Sequence, residues 1–285
     1  MATMRDIRRR IKTVRNIQQI TKALKMVAAA RLQRAQSRAA AARPYADEII
    51  AVMSDLAALG AEVQHPLLEV REPVSIGVLA ISSDRGMAGS YNANIMRKVA
   101  EIVRPYDKER VKLITVGKKA RNFFAKRGYD IAADFAMPSS DVTFAEARVV
   151  SQTIRQLFEE RGVDVVHIVY TRFYSAITQR TTDLQLLPAT PPESAVSTRA
   201  EEYIFEPRPD VLLGSLLPRY VDTQIYRAML ESLASEHGAR MTAMSSATDS
   251  AGDMIDRLTL DLNRARQAAI TKELAEIVGG AGALE

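Results

Sequence analysis

Residues 241–269 read MTAMSSATDSAGDMIDRLTLDLNRARQAA, and their periodicity decides the architecture of the chain. Small or apolar side chains recur at alternating spacings of three and four residues: Met241, Met244, Thr248, Ala251, Ile255, Leu258, Leu262, Ala265 and Ala269. A repeat sustained over about four heptads is typical of a coiled-coil seam. The helical pattern around it begins after Pro207 and Pro209, which both suit a helix start, and continues to Gly279.

A second long helix is predicted from Met4 to about Gly60, where apolar side chains again recur at spacings of three and four residues. At about 1.5 Å per residue, residues 4–58 would span about 83 Å and residues 209–280 about 108 Å. If the middle of the chain folds separately and returns the backbone, the two helices can pair antiparallel. The C-terminal helix would then overhang its partner by about 25 Å.

The middle of the chain has the pattern of an α/β domain. Short apolar, β-branched runs predict strands over 74–82, 111–117 and 163–170, and helical patterns lie near 91–104, 118–127 and 143–161. Strands that alternate with helices indicate a parallel sheet covered on both faces, and the alternating stretch 177–188 predicts an edge strand. The predicted fold is therefore α/β: a long antiparallel coiled coil of the terminal helices with an inserted, Rossmann-like open α/β domain.

These patterns divide the chain into an N-terminal coiled-coil helix over 1–62, an α/β domain over 70–206 and a C-terminal coiled-coil helix over 207–285. With 285 residues and 47% hydrophobic side chains, the chain can bury a sizeable core. It has no cysteine, which excludes disulfides and thiolate chemistry. No catalytic motif is present and the three histidines lack ligand-like spacing, so we expect no catalytic residue, metal or cofactor.

Charge is distributed unevenly. Residues 1–43 hold twelve bases and one acid, whereas the rest of the chain holds 27 bases and 33 acids. The basic arm, residues 1–43, therefore calls for an acidic partner such as nucleic acid or an acidic protein surface. A mitochondrial presequence or a solvated basic face without a partner are the alternatives. The first aromatic residue is Tyr45 and the first serine is Ser37, which favour neither nucleic acid nor a presequence.

The C-terminus combines small residues with exposed-looking apolar ones. The overhanging segment carries Ile270, Leu274, Ile277, Val278 and Leu284, although no helix of its own chain lies beside it. Apolar surface of this kind marks a site for a partner. Its alanines and glycines would let that partner approach closely from several directions.

Two smaller motifs have competing interpretations. The turn SSDRGMAGSYN, residues 82–92, follows a strand and opens a helix, where backbone N–H groups can bind phosphate. Its GxxG spacing matches neither established phosphate-binding fingerprint, so a structural turn is favoured over the nucleotide site of an enzyme. Tyr170, Arg172 and Tyr174 could line a pocket, but solvation of an edge strand is favoured over a pocket.

Four stretches point to a known family: IRRRIKTVRNIQQITKALKMVAAARL (7–32), SSDRGMAGSYN (82–92), EHGARMTAMSSATDSAGDMI (236–255) and LNRARQAAITKELAEIVGGAGA (262–283). Together they resemble the gamma subunit of the F-type ATP synthase. The segment from Ile270 to Ala283 matches the C-terminal signature of that family at every fixed position. With both ends, the first strand and turn, and the length agreeing, the resemblance covers nearly the whole chain.

The resemblance implies a non-catalytic central rotor shaft. In this family the helix pair stands inside a ring of alpha and beta subunits, and the α/β domain forms a foot on the membrane c-subunit ring together with epsilon. Proton flow turns the ring and the shaft, which drives the catalytic beta subunits through different affinities. Membership implies a peripheral protein on the cytoplasmic side of a bacterial inner membrane. No secretory signal or transit peptide is evident, and without cysteine no thiol regulation is expected.

The resemblance also implies particular contact residues. The positions that match contacts of the family with beta are Arg8, Arg9, Arg240, Arg266, Gln267 and Thr271. Further basic residues of the arm are candidates for an acidic loop of beta: Arg10, Lys22, Lys25, Arg31 and Arg34. Tyr203 and Glu206, in the sequence YIFEP, match positions that contact the c ring and epsilon.

Overall fold

The computed structural model describes residues 3–58, 65–189 and 208–281. Two very long helices enclose an alternation of strands and shorter helices along the chain. The elements are α1 (Met4–Ala58), β1 (Ile76–Ile81), α2 (Tyr91–Val103), β2 (Val111–Val116), α3 (Lys118–Ala125), β3 (Asp130–Phe135), α4 (Phe144–Glu159), β4 (Val165–Phe173), β5 (Gln179–Leu187) and α5 (Pro209–Ala281). Both predicted long helices are therefore present, and single turns of 3₁₀ helix occupy Pro66–Leu68 and Lys108–Arg110.

The strands form one sheet in the order β3-β2-β1-β4-β5. β1 pairs in parallel with both β2 and β4, and β2 pairs in parallel with β3. β5 runs antiparallel to β4 at the edge, which confirms the predicted edge strand. All six residues of β1 are buried, so both faces of the sheet are covered at its centre, as a parallel sheet requires.

One face of the sheet packs against α2 and α3. Ile76, Val78 and Ala80 alternate along β1 and meet a row of α2 side chains spaced four residues apart: Tyr91, Ile95, Val99 and Val103. Since this spacing puts the four side chains on one side of the helix, α2 buries a continuous apolar stripe. Burial of each aliphatic side chain stabilises the fold by about 1.5–3 kcal/mol.

Strand β3 was not predicted from the sequence. Its residues, DIAADF, alternate between exposed and half-buried positions and include no run of β-branched side chains. β3 lies at the sheet edge and pairs only with β2, so it buries too little to require an apolar sequence. The tertiary pairing, rather than local preference, makes this segment a strand.

The chain divides into two compact units. The helical unit comprises residues 1–27 and 241–285, and the sheet unit comprises residues 28–240. Each of the two long helices contributes residues to both units. The domain boundaries predicted at residue 62 and at residues 206–207 lie outside the described residues, and that division stays a prediction.

Within the helical unit, α1 and α5 pair along the predicted seam. The hydroxyl oxygens of Thr21 and Thr248 lie 2.8 Å apart, and Lys25 Nζ donates to Ser245 Oγ at 2.9 Å. The buried positions include Ile7, Ile11 and Thr21 on α1, and Met244 and Ala251 on α5. The seam thus mixes large apolar side chains with small ones.

Gly117, the N-cap of α3, has a conformation and a neighbour that exclude a side chain. Its φ angle is 99°, and a Cβ atom would lie 2.3 Å from the carbonyl oxygen of Ser82. Gly117→Ala should therefore lower the free energy of unfolding by about 3 kcal/mol or more, measured by urea denaturation of the chain. Gly128→Ala is the matched control because its φ is also positive, at 75°, but no atom lies within 4 Å. It should cost only about 1 kcal/mol, and equal losses in both variants would contradict the steric argument.

Candidate partner-binding surfaces

The basic arm lies on α1 with most of its charges in solvent. Hydrogen bonds between Thr3 and Asp6 hold the start of this helix: the Asp6 N–H donates to Thr3 Oγ1, and the Thr3 hydroxyl donates to Asp6 Oδ2. Of the twelve basic residues in the arm, Arg31 alone is half-buried and the other eleven are exposed. The arm therefore presents a dense row of guanidinium and ammonium groups to any partner beside α1.

The two ends of the arm differ in how its charges are used. In the sheet unit, Arg31 donates to the carbonyl oxygen of Ser139 at 3.1 Å, and Arg38 pairs with Asp141 at 2.9 Å. In the helical unit, Arg9 pairs with Asp6 at 3.2 Å while its side chain stays 80% exposed. Among the described residues, no acid lies within ion-pair distance of the other basic side chains in this part: Arg5, Arg8, Arg10, Lys12, Arg15, Lys22 and Lys25. Apart from the Lys25 ammonium, which donates to Ser245 Oγ, those charges are available to a partner.

The described side chains near the end of α5 become exposed, as the predicted overhang requires. Partial burial along the seam continues through Leu262, Ala265 and Ala269, and every side chain from 270 to 275 is exposed. The Thr21–Thr248 contact sets an antiparallel register in which Met4 lies beside residue 265. About 24 Å of α5, residues 266–281, then extends past the first turn of α1.

The predicted contact residues at this end lie on adjacent rows of α5. Gln267 and Thr271 are four residues apart and therefore share one row, and Arg266, Ile270 and Leu274 form the next. Ile270 is 49% exposed and Leu274 is 58% exposed. The structure thus brings Arg266, Gln267 and Thr271 together with apolar side chains on one uncovered end. Their contact with another subunit stays a prediction.

Arg240 is engaged within the sheet unit. Its Nη1 atom lies 2.7 Å from Glu236 Oε1, and its Nη2 atom donates to the carbonyl oxygen of Gly86 at 3.2 Å. The Arg240 side chain is only 11% exposed and that of Glu236 only 8%. Arg240 therefore joins α5 to the turn after β1, and its predicted role toward beta remains untested.

Two further titratable groups are buried near Arg240. Burial raises the pKa of Glu236, and the neighbouring Arg240 guanidinium acts in the opposite direction. The pKa of His237 is lowered to about 4, mainly by burial and to a smaller extent by the positive charges of Arg240 and Arg31. His237 is 99% buried, since its exposed fraction is 1%, and it is therefore neutral at physiological pH. Residues 236–240 of α5 therefore lie in a low-dielectric environment.

The turn at 82–92 lies at the carboxyl edge of the sheet, beside the central strand β1. Its polar groups are used internally: the N–H groups of Ser83 and Lys118 donate to Asn92 Oδ1 and Asp84 Oδ1 at 3.1 and 2.9 Å. Ser82 Oγ accepts from the Ala120 N–H at 3.0 Å. These bonds favour the interpretation of the motif as a structural turn over that of a phosphate site.

Sequence reasoning missed a set of polar contacts between α5 and the sheet. The Thr171 N–H donates to Ser232 Oγ at 3.3 Å, and Ser235 Oγ donates to the Thr171 carbonyl oxygen at 3.0 Å. Nearer the start of α5, Asp222 Oδ1 lies 3.5 Å from Arg155 Nη2 on α4. The available signal was the recurrence of polar residues within an otherwise apolar helical stretch, DTQIYRAMLESLASEH (222–237).

The remaining candidates divide between surface and undescribed positions. Arg172 lies over the ring of Tyr174 at 5.4 Å, and Tyr174 is 54% exposed, so this pair lies at the surface near the end of β4. Burial raises the pKa of Tyr170. Tyr203 and Glu206 lie outside the described residues. Within the described ranges, no helix is long and apolar enough to cross a membrane, and no group of three or more His, Asp or Glu side chains could hold a metal ion.

Comparison with known proteins gives a consistent answer. The family model described as ATP synthase matches residues 3–284. The ATP synthase gamma chain of Heliobacterium modesticaldum is 51% identical over 291 residues, and that of Pelotomaculum thermopropionicum is 46% identical over 285 residues. In both comparisons the alignment covers 100% of each chain.

Solved structures share the fold. A chain from the Euglena gracilis mitochondrial ATP synthase, solved as OSCP/F1/c-ring in rotational state 3, aligns with a TM-score of 0.72 at 19% identity, covering 99% of this chain and 94% of the other. A central stalk/c-ring structure from Tetrahymena thermophila aligns with a TM-score of 0.60 at 24% identity, covering 80% and 99%. The coverage, the identity to bacterial relatives and the shared fold establish the family: this chain belongs to the ATP synthase gamma chains.

Proposed function

We propose that this chain is the central rotor of an F-type ATP synthase and couples rotation of a c-subunit ring to the catalytic cycle of the beta subunits. The observation that carries the proposal is the uncovered end of α5, where the helix continues past its partner with exposed apolar side chains. Exposed Ile270 and Leu274 need a covering surface from other polypeptides. A ring of alpha and beta subunits would provide that surface around residues 266–285.

The basic arm supports an electrostatic contact with beta. Arg8 and Arg9 lie on exposed turns of α1, and among the described residues Arg8 has no acidic partner. An acidic loop of beta would find several unpaired positive charges here. Because these charges are exposed, the attraction should weaken as ionic strength rises.

The shaft would act by touching identical subunits in different ways. Each beta subunit would meet a different face of the helix pair, so each would be biased toward a different conformation by its own contacts. Inverting a two-state population from 1:99 to 99:1 requires about 5.5 kcal/mol of differential interaction. A few charge-assisted hydrogen bonds at about 1.5–3 kcal/mol each, together with apolar contacts at the α5 end, reach that value.

The α/β domain would serve as the foot of the rotor on the c-subunit ring. In this proposal Tyr203 and Glu206 contact the c ring and epsilon, and Arg240, Arg266, Gln267 and Thr271 contact beta. The complex would lie on the cytoplasmic side of a bacterial inner membrane, with this chain as a peripheral subunit. The bacterial relatives named above support that location.

The proposal is tested by reconstitution with the alpha and beta subunits of the same synthase. The tagged chain should co-purify with both, and a probe fixed to its sheet unit should turn in one direction during ATP hydrolysis, pausing at each third of a turn. A chain that stays apart from alpha and beta would reject the proposal. In that case, salt-sensitive retention on DNA would support a nucleic-acid binder, and tight nucleotide binding by the lone chain would support an enzyme.

A further inference from the structure

We propose that buried polar contacts along residues 222–240 of α5 form a clamp that prevents this helix from rolling on the sheet, with Ser232 and Ser235 as its central positioning residues. The inference rests on the proposed rotor function and identifies where torque passes from the sheet domain into α5. All of the contacts lie within the sheet unit. Beyond them, the same helix continues into the helical unit.

The central contact joins α5 to a strand backbone. Both backbone groups of Thr171 bond to α5, since its N–H donates to Ser232 Oγ and its carbonyl oxygen accepts from Ser235 Oγ. The pairing of β1 with β4 ends at Ala80 and Val169. Thr171 therefore lies on the part of β4 that extends beyond its pairing with β1. The two serine hydroxyls thus bond to the backbone groups of Thr171 that a longer β1 would otherwise bond. Both serines have 0% exposure, and Thr171 has 3%.

Two flanking contacts attach α5 at other levels. Toward the helical unit, Arg240 donates to the Gly86 carbonyl oxygen and is itself held by Glu236. Toward the start of α5, Asp222 pairs with Arg155 of α4, and the two side chains are 8% and 18% exposed. Asp222 and Arg240 are separated by about 27 Å along the helix. The helix is therefore attached at three heights and not at a single pivot.

The directions of these contacts suit resistance to twist. At 100° per residue, the five α5 residues of the clamp fall within about 140° of the helix circumference, all toward the sheet domain. Apolar burial is non-directional, and a helix held by it alone can roll while keeping most of its buried area. Hydrogen bonds weaken steeply with distance and angle, so any roll of α5 would lengthen them. Burying these polar groups is costly unless they stay bonded, which reinforces one orientation.

The stiffness of this attachment can be measured directly because the chain contains no cysteine. Glu109→Cys provides one exposed site on the sheet unit for a bead, while the alpha and beta subunits of the assembled complex hold the other unit. With rotation stalled, the angular variance of the bead reports the torsional compliance. Among the described contacts, the clamp comprises four polar links from α5 to other elements, two at Thr171 and one each at Gly86 and Arg155. Because angular variance rises as stiffness falls, loss of two of these links in Ser232→Ala/Ser235→Ala should raise the variance, by at most about twofold.

A matched control uses hydroxyls that bond only within α5. Ser215 Oγ donates to the Leu212 carbonyl oxygen, and Thr259 Oγ1 donates to that of Ile255. Ser215→Ala/Thr259→Ala should leave the variance unchanged. If Ser232→Ala/Ser235→Ala prevents assembly, the milder Ser235→Ala should raise the variance by a smaller amount.

The outcomes separate the clamp from the rotor function. Higher variance with normal unidirectional stepping, together with unchanged variance in the control, supports the clamp. Unchanged variance in the serine variants, with or without a lower melting temperature, would reduce Ser232 and Ser235 to a stabilising role and reject the clamp. Failure of the unsubstituted complex to rotate would reject the rotor function itself.

Discussion

Removal of residues 266–285 should cause the complex to lose most of its torque and much of its yield on assembly, while the sheet unit stays folded. Every side chain from 270 to 275 is exposed, and among the side chains that the structure describes the deletion removes none from the buried core of either unit. The free energy of unfolding of the isolated chain should therefore change by no more than about 0.5 kcal/mol. The effect should appear only when alpha and beta surround the helix.

The measurements are the fraction of complex that assembles and the torque against a viscous load during ATP hydrolysis. Ile270→Ser/Leu274→Ser is the companion variant because it keeps the helix length but removes the exposed apolar side chains. Loss of torque in both variants would assign the effect to apolar contact, and loss only in the deletion would assign it to length. Full torque in the truncated complex would count against a bearing role for this end.

Reversal of charge at Arg8 and Arg9 should uncouple ATP hydrolysis from proton pumping. Arg8→Glu/Arg9→Glu changes the local charge by four units on exposed turns of α1, so it should repel an acidic loop that the arginines attract. Arg9 also pairs with Asp6, and a glutamate at position 9 would place two carboxylates together. We expect hydrolysis to continue while most ATP-driven proton uptake into membrane vesicles is lost.

The control for this variant preserves charge. Arg8→Lys/Arg9→Lys should pump at nearly the original rate, because exposed contacts depend mainly on the sign of the charge. The defect in the reversed variant should shrink as salt is added, since exposed charges are screened within about 8–10 Å at physiological ionic strength. Normal coupling in the charge-reversed variant would remove the electrostatic part of the proposal.

The sequence predicted those elements whose periodicity is strong and local. The seam on α5 and the apolar runs of β1, β2 and β4 are buried, and their burial is visible in the local pattern of apolar residues. β3 was not predicted because its sequence, DIAADF, lies at a sheet edge, exposes every second residue and so lacks a strong apolar pattern. Its strand conformation comes from pairing with β2, which no local pattern encodes.

The candidate surfaces show the same division. Arg266, Gln267 and Thr271 are exposed because they do not occupy seam positions, and the sequence pattern was sufficient to predict this. The bond from Arg240 to Gly86 joins residues 154 positions apart, and the bonds from Ser232 and Ser235 to Thr171 join residues more than 60 positions apart. Side-chain hydrogen bonds across such separations depend on the finished tertiary fold, so the sequence indicated only that α5 carries unusually many polar residues.

The seam of the helical unit has a consequence for how the chain matures. Thr21, Thr248 and Ala251 bury less area than leucine or isoleucine would at the same positions, so the helix pair gains less free energy from its own contact than a seam of large side chains would give. Such a pair of helices depends more on its surroundings to remain paired. For such a segment, ordering and incorporation into a larger complex are one thermodynamic event, and the unincorporated chain is the form most open to proteolysis.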